Sequence, residues 1–183
     1  MEELMLVRID SDYCDYLRKY DSRVPYNYES KKLRPFIGVL FKVNDCMYFA
    51  PLSSPKPKHI GLKSKIDLLK IDGGNLGVVN FNNMVPVKEN NVKCIDLNSL
   101  DCKYRKLLEK QLFWLNRNSC KLYNRAEKLY LKYTNNTLNI NIYNICCNFK
   151  LLEEKCNEYN LIGINESSFD YFFCKVIDFK MIV

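Results

Sequence analysis

From Lys103 to Tyr133 the apolar residues Tyr104, Leu108, Leu112, Leu115, Leu122, Ala126, Leu129 and Tyr133 return at three- and four-residue steps, with one double step after Leu115. Such a stripe fits one face of an α-helix and no strand, so it predicts one long helix or two consecutive ones. Upstream the apolar runs are short and strand-like. Leu4–Ile9 reads as a first strand, and Pro35–Lys42 with Cys46–Leu52 as a β-hairpin turning at Asn44-Asp45. Ile66–Ile71 and Gly77–Val87 are two more strands around the Asp72-Gly73-Gly74 turn, with Pro86 making the end of the second an edge or an exit. Val92–Leu97 is the last. Strands up to about residue 97 followed by helices describe an α+β domain, an antiparallel sheet with segregated helices.

Shorter elements fill the gaps. Asp10 or Ser11 caps a helix through Tyr20, with Tyr13, Tyr16, Leu17 and Tyr20 on one face, and Asn148 caps another from Phe149 to Tyr159. Asp21–Arg34 is a polar loop containing Pro25, long enough to suspect function. Thr134–Asn148 is an asparagine-rich loop, although Leu138, Ile140 and Ile142 alternate like a strand. Asn160–Val183 reads as one or two strands or a packed extension. A chain of 183 residues without internal repeats suits a single domain, 1–183.

Hydrophobic residues make up 48% of the chain and charged ones 27%, which suits a packed core and argues against disorder. The nine cysteines are odd in number and form no C-x-x-C pair. With Glu2 and Glu3 after Met1 in place of a secretory leader, they read as reduced thiols of a cytoplasmic protein. A structural zinc site would need more than one histidine and other spacings. No apolar run reaches the roughly 20 residues that span a bilayer.

The net charge of +7 is unevenly spread. Residues 31–70 hold nine Lys/Arg against Asp45 and Asp67, and residues 103–133 nine against Glu109 and Glu127, so each stretch carries +7. The remainder, with ten basic and seventeen acidic residues, is −7. Concentrated charge suits a polyanion partner such as nucleic acid; two solvated faces of an ordinary domain are the other reading.

Catalytic metal finds no carboxylate cluster to hold it. Ser/His/Asp or Cys/His catalysis would need His59, the single histidine, which in a Lys/Pro loop is most often a surface side chain. The segment Ser53-Ser54-Pro55-Lys56-Pro57-Lys58-His59 is more informative. Its prolines stop it from continuing a paired strand. It presents two hydroxyls and two ammonium groups, a set that can hold a phosphate and stabilise charge developing on it. RNA cleavage without metal uses the 2′-OH as nucleophile, and an ammonium serves there better as stabiliser or acid than as base. The same loop also reads as a simple phosphate contact or a solvated turn. Thirteen tyrosines are a second signal. Tyr26 and Tyr28, in the loop before Arg34, suit stacking on unpaired bases whose backbone Lys and Arg hold, whereas Tyr13 and Tyr16 on a helical face are more often packing.

Five runs, in order, make a specific resemblance: R-P-F-I-G-V-L at 34–40, A-P-L-S-S-P-K at 50–56, L-G-V-V-N-F-N-N-M-V-P-V at 76–87, the Y-x-K-L-L-x-x-Q-L pattern of Tyr104–Leu112, and C-N-F-K-L-L-E-E-K at 147–155. Over roughly residues 4–159 the chain resembles the ToxN/AbiQ family. The resemblance implies a compact antiparallel sheet with helices, related to the Kid/MazF-type toxin barrel. It implies a cofactor-free, metal-independent endoribonuclease that cuts single-stranded, often A-rich RNA, leaving 2′,3′-cyclic phosphate and 5′-hydroxyl ends. Such toxins are the protein half of type III toxin–antitoxin pairs and act in phage defence by abortive infection. They process a tandem-repeat antitoxin RNA whose folded repeats then inhibit them, commonly in a closed ring of alternating protein and RNA. Residues 160–183 extend past the pattern.

Carried over position by position, the family's [S/T]-S-P-K falls on Ser53, Ser54, Pro55 and Lys56, its N-terminal helix tyrosine on Tyr13, and its basic residue two places before F-I-G on Arg34. Its loop tyrosine falls on Tyr28 ahead of Tyr26. The resemblance thus implies Lys56 as stabiliser or acid, Ser53 and Ser54 orienting the phosphate, Arg34 neutralising it, and Tyr13 and Tyr28 positioning or polarising the nucleotide. Lys31, Lys32, Tyr26, Lys58, His59, Lys106, Lys110 and Arg117 are the candidate RNA contacts, drawn from the two basic stretches and the loop before Arg34. A non-catalytic RNA-binding module would share the basic patches and tyrosines. A DNA-binding regulator would need a helix-turn-helix or zinc signature that the chain lacks.

Overall fold

The computed structural model describes residues 4–26 and 34–162. Its organising element is the eight-residue strand β4, Cys46–Ser53, buried at every position except its last. A strand buried on both faces reads as a continuous apolar run and must be central. Along one edge β4 meets β2 (Phe36–Gly38) and then β3 (Lys42–Val43), with Phe36 opposite Pro51 and Lys42 opposite Met47. Along the other it meets β6 (Val78–Asn80) through Leu52 opposite Val79, and β7 (Val85–Val87) through Phe49 opposite Val85. Strand β1 (Met5–Ile9) pairs β2 and β8 (Val92–Cys94), and β5 (Leu68–Lys70) pairs β6, giving the antiparallel order β5-β6-β4-β2-β1-β8. Among the described residues no pairing joins β5 to β8, so the sheet is open rather than closed into a barrel.

The expected strand Gly77–Val87 is in fact two, separated by a 3-10 turn at Phe81–Asn83. Pro51 explains the break. The amides of Tyr48 and Leu52 point to the β2/β3 edge, bonding Phe41 O and Pro35 O at 2.9 Å, so by alternation position 51 faces the other edge. Proline offers no N–H there, and the neighbouring chain leaves the ladder at that level. Pro86 does lie on an edge strand, β7, whose ladder partner is β4.

Among the described residues six helices cover the sheet. Asp10 caps α1 (Ser11–Arg18), its carboxylate accepting from the amides of Asp12 and Tyr13. The short α2 spans Pro57–Gly61. The long apolar stripe becomes α3 (Cys102–Arg117) and α4 (Ser119–Thr134), broken at Asn118, whose side-chain amide donates to Trp114 O at 2.8 Å. The alternating Leu138, Ile140 and Ile142 are not a strand, since Ile140–Tyr143 is one helical turn, α5, capped by Asn139. Helix α6 (Phe149–Ile162) starts at Asn148 as expected, the Asn148 side chain accepting from Leu151 N. The helix runs on through Ile162, into the start of the segment read as strands or an extension; the rest of that segment, 163–183, lies outside the described residues.

Two buried carboxylates tie the layers. Glu153 of α6, 9% exposed, accepts from the hydroxyls of Tyr48 on β4 and Tyr130 on α4, both at 2.7 Å, inside an aromatic cluster with Phe41 and Phe149. Asp21 accepts from the Asn148 amide at 2.6 Å and from Arg23 Nε at 2.8 Å, while Asn83 donates to Arg23 O. That network holds the base of the 21–34 loop, the Phe81–Asn83 turn and the start of α6 together.

Replacing Glu153 by alanine removes the close acceptor of two buried phenols and leaves Tyr48 only the Phe149 carbonyl at 3.5 Å. We expect a loss on the order of 3 kcal/mol, read as a lower urea midpoint with unchanged slope. Burial alone would raise the Asp21 carboxyl, but hydrogen bonds from Arg23 and the Asn148 amide, with the Arg23 charge, outweigh it and lower the group below its usual range. Its contribution is therefore present above the ordinary Asp value of about 3.9 and is lost as pH falls through the lower folded value. Asp21→Asn should flatten the acid limb of the stability–pH curve; identical limbs for the two proteins would remove Asp21 from that role.

Candidate active site

Strand β4 ends at Ser53, and the chain leaves the sheet as Ser54-Pro55-Lys56 before entering α2. Ser54 and Lys56 each precede a proline, which disfavours the helical conformation and holds them extended. Lys56 accordingly sits at φ −139°, ψ 146°, and its carbonyl accepts from His59 N at 2.8 Å. The loop rests on the Asp72–Gly77 turn. Gly77, at φ +100°, lies so close that a Cβ there would stand 2.0 Å from Ser53 O, and one on Gly74, at φ +104°, 2.7 Å from His59 O. Both positions need glycine on conformation and on space. Lys70 Nζ closes the other side, donating to Ile60 O at 2.6 Å and Leu62 O at 3.2 Å.

This arrangement brings several sequence-predicted residues together. Ser53 Oγ accepts from Asn80 Nδ2 at 2.9 Å, which leaves its own hydrogen free to donate outward. Ser54, Lys56 and Lys58 are exposed, and Lys56 Nζ has no hydrogen-bond or ion-pair partner among the described residues. Pro35 O accepts from Leu52 N, one step beyond the pair Phe36↔Pro51, so Arg34 lies just before β2, at the end of that strand nearest Ser53. Arg34 is half-buried; that burial lowers its guanidinium from the ordinary value, though arginine stays cationic throughout the physiological range.

Other predicted residues lie elsewhere. Tyr13 is fully buried, its hydroxyl donating to Pro86 O at 2.6 Å and its ring 5.0 Å from that of Tyr159. Pro86 pairs with Tyr48, five residues before Ser53 and so roughly 17 Å along the strand. Burial, reinforced by Cys156, pushes the Tyr13 phenol far above its ordinary range. In this structure Tyr13 is a core brace, away from any nucleotide at Lys56. His59 corrects a second expectation: it is 3% exposed, not a surface side chain. Its Nδ1 has no partner among the described residues, and burial followed by the charges of Lys56 and Lys58 lowers its pKa, so it is neutral at pH 7. Tyr26 is exposed with the Arg18 guanidinium 4.2 Å from its ring centre. Lys106, Lys110 and Arg117 form an exposed stripe on α3, while Gln111 from the opposite side donates to Leu76 O at 2.6 Å and braces the residue before Gly77. Tyr28, Lys31 and Lys32 lie outside the described residues.

Sequence reasoning passes over Asn80. Its signal is a single amide inside the apolar run Val78-Val79-Asn80-Phe81, on the same side of β6 as Val78 opposite Ser53. Of the seating glycines, Gly74 reads from sequence only as a turn former and Gly77 as the start of a strand.

The family of the toxin ToxN of type III toxin–antitoxin systems matches residues 5–157. The chain is 37% identical over 158 residues to the endoribonuclease ToxN of Bacillus thuringiensis subsp. kurstaki, covering 82% of this chain and 81% of that protein. Among solved structures, AbiQ, a lactococcal anti-phage endoribonuclease, superposes with a TM-score of 0.77 at 30% identity, covering 87% of this chain and 99% of the other. A type III toxin described as selectively inhibited by a non-coding RNA pseudoknot gives 0.73 at 34% identity, with 87% and 99% covered. Sequence runs, sheet topology and these likenesses agree: the chain belongs to the ToxN/AbiQ family of type III toxin–antitoxin toxins.

Proposed function

We propose that this protein is a metal-independent endoribonuclease toxin that cuts single-stranded RNA in the cytoplasm and is held in check by a folded tandem-repeat antitoxin RNA. The observation that carries the reading is Lys56: an exposed ammonium with no partner among the described residues, carried on a backbone held between two prolines at the exit of a central strand, just after Ser53 and Ser54. In the proposed reaction the 2′-oxygen forms a bond to phosphorus as the bond to the 5′-oxygen breaks. The 2′-OH proton leaves to a base and the 5′-oxygen gains one. Charge builds on the phosphoryl oxygens, where Lys56 and Arg34 neutralise it and the Ser53 and Ser54 hydroxyls donate. Lys56 would also protonate the leaving oxygen. Tyr28, from the loop before Arg34, would position the nucleotide. No step of this proposed reaction calls for a metal.

The antitoxin is inferred from the relative inhibited by an RNA pseudoknot, and from the exposed stripe Lys106, Lys110 and Arg117 with Lys58 near the site. Cellular or phage mRNA would be the substrate, and a closed ring of alternating protein and RNA the inhibited form. No helix among the described residues is long and apolar enough to cross a membrane.

Lys56→Ala should abolish growth arrest on expression and slow cleavage at least a hundredfold, as expected when about 3 kcal/mol of charge stabilisation is removed from the transition state, while the urea midpoint stays put. Undiminished arrest would remove Lys56 from the chemistry. Cleavage should also persist in EDTA and yield 2′,3′-cyclic phosphate ends. Recovery of 5′-phosphate products that vanish with chelator would contradict the mechanism, and binding without any cut would favour a non-catalytic RNA-binding module.

A further inference from the structure

The path leading away from the candidate site is basic. Every residue from Ser54 to Lys65 except His59 is exposed, and the stretch carries Lys56, Lys58, Lys63 and Lys65 without one carboxylate. At its far end the loop meets α4, and the two border a shallow, open cleft of about 650 Å³ lined by Ser64, Lys65, Ile66, Lys121, Asn124, Arg125 and Lys128. On α4 these residues follow helical spacing, 121, 124/125 and 128, so one stripe of the helix faces the loop. The cleft is preformed, because Arg125 Nη1 reaches Ser64 Oγ at 2.7 Å, Leu68 O at 2.8 Å and Lys65 O at 3.1 Å. Lys65, Lys121 and Lys128 have no carboxylate partner among the described residues, so their charges are available to a ligand.

We propose that this cleft is a second subsite for the phosphodiester backbone of the RNA strand being cut, gripping it a few nucleotides from the scissile bond. The inference rests on the active-site reading above. From Lys56 the chain passes through the turn of α2 to reach Ser64, a path of at most roughly 20 Å that a strand of a few nucleotides can bridge. Ammonium groups with hydroxyl and amide donors, and no aromatic ring in the lining, fit a sequence-independent backbone contact rather than base readout. Exposed Ile60 and Leu62 lie along the way and offer apolar surface to the intervening bases. The consequence is length dependence: a substrate long enough to reach the cleft binds more tightly than one covering only the cut.

The test compares wild type with Lys121→Glu/Lys128→Glu, on single-stranded A-rich RNA oligonucleotides of graded length. The wild type should show a several-fold rise in kcat/KM once the strand reaches the cleft, and in the variant that length advantage should collapse towards one. Binding is measured separately in a Lys56→Ala background, where the RNA stays intact. There the logarithmic salt slope should fall by about 1.4, about 0.7 for each of two phosphates no longer neutralised. An unchanged slope and an unchanged length advantage would overturn the subsite and leave an acidic protein as the better ligand for the cleft. Loss of affinity for a folded hairpin RNA alone would overturn the assignment to the substrate strand. Should the wild type cut no RNA, the catalytic reading fails by itself, because the salt slope still reports on the cleft.

Discussion

A strand that is buried on both faces must find partners on both edges, and the architecture follows from how β4 meets that requirement. Four strands share its ladder, β2 and β3 along one side and β6 and β7 along the other. Every backbone amide in such a position needs an acceptor, since an unpaired one would cost more than most side-chain contacts return. Pro51 is where the requirement lapses. With no amide to satisfy on that edge, the neighbouring chain can step out of the ladder as a 3-10 turn, and that turn carries Asn83 to the Asp21–Arg23 network and Asn82 to the Cys147 amide. A missing hydrogen bond in the centre of the sheet thus sets where the loop before Arg34 is anchored.

The same strand gives the candidate site its rigidity. Ser53 is still within the ladder and Lys56 is three residues out, with no flexible hinge between them because the connecting segment is stiffened by proline and leans on the Gly74–Gly77 turn. Chemistry that depends on fixed charge gains from such a support, since groups that need not reorganise cost nothing at the moment of reaction. On the opposite side, Tyr48 anchors β4 to Glu153 and Tyr130, so the strand bearing the site is gripped by α4 and α6 at once.

Much of this is legible in the residues. Period-3.6 spacing marks α3 and α4, and the caps Asp10 and Asn148 mark α1 and α6, because those signals are local and the side chains that make them act within a turn of helix. The split of Gly77–Val87 is not legible, because its cause, Pro51, lies on another strand. Ile140–Tyr143 misleads for a related reason: three alternating aliphatic residues look alike in a strand and in one exposed helical turn. In the site, contiguous residues are the readable ones, since Ser53 to Lys58 need only chain order. Tyr13, on a helical face, already reads as packing and does brace Pro86, whereas His59 looks available because its residue type is, and only the structure shows it buried within α2. Asn80 needs the register of β6 on β4, which no single segment contains.

The way Ser53 is held has a further consequence, for synthesis. Its hydroxyl partner is Asn80 and its supporting glycine is Gly77, more than twenty residues downstream, while Gln111 on α3 braces Leu76 from farther still. On a ribosome the β3–β4 hairpin can close early, since its strands adjoin in the chain. The lysine loop has no floor to rest on until the later segments have emerged and docked. A nascent chain therefore passes through much of translation with the segment from Ser53 to Lys58 present but unsupported, and that segment gains its full support only after the chain has been made as far as Gln111.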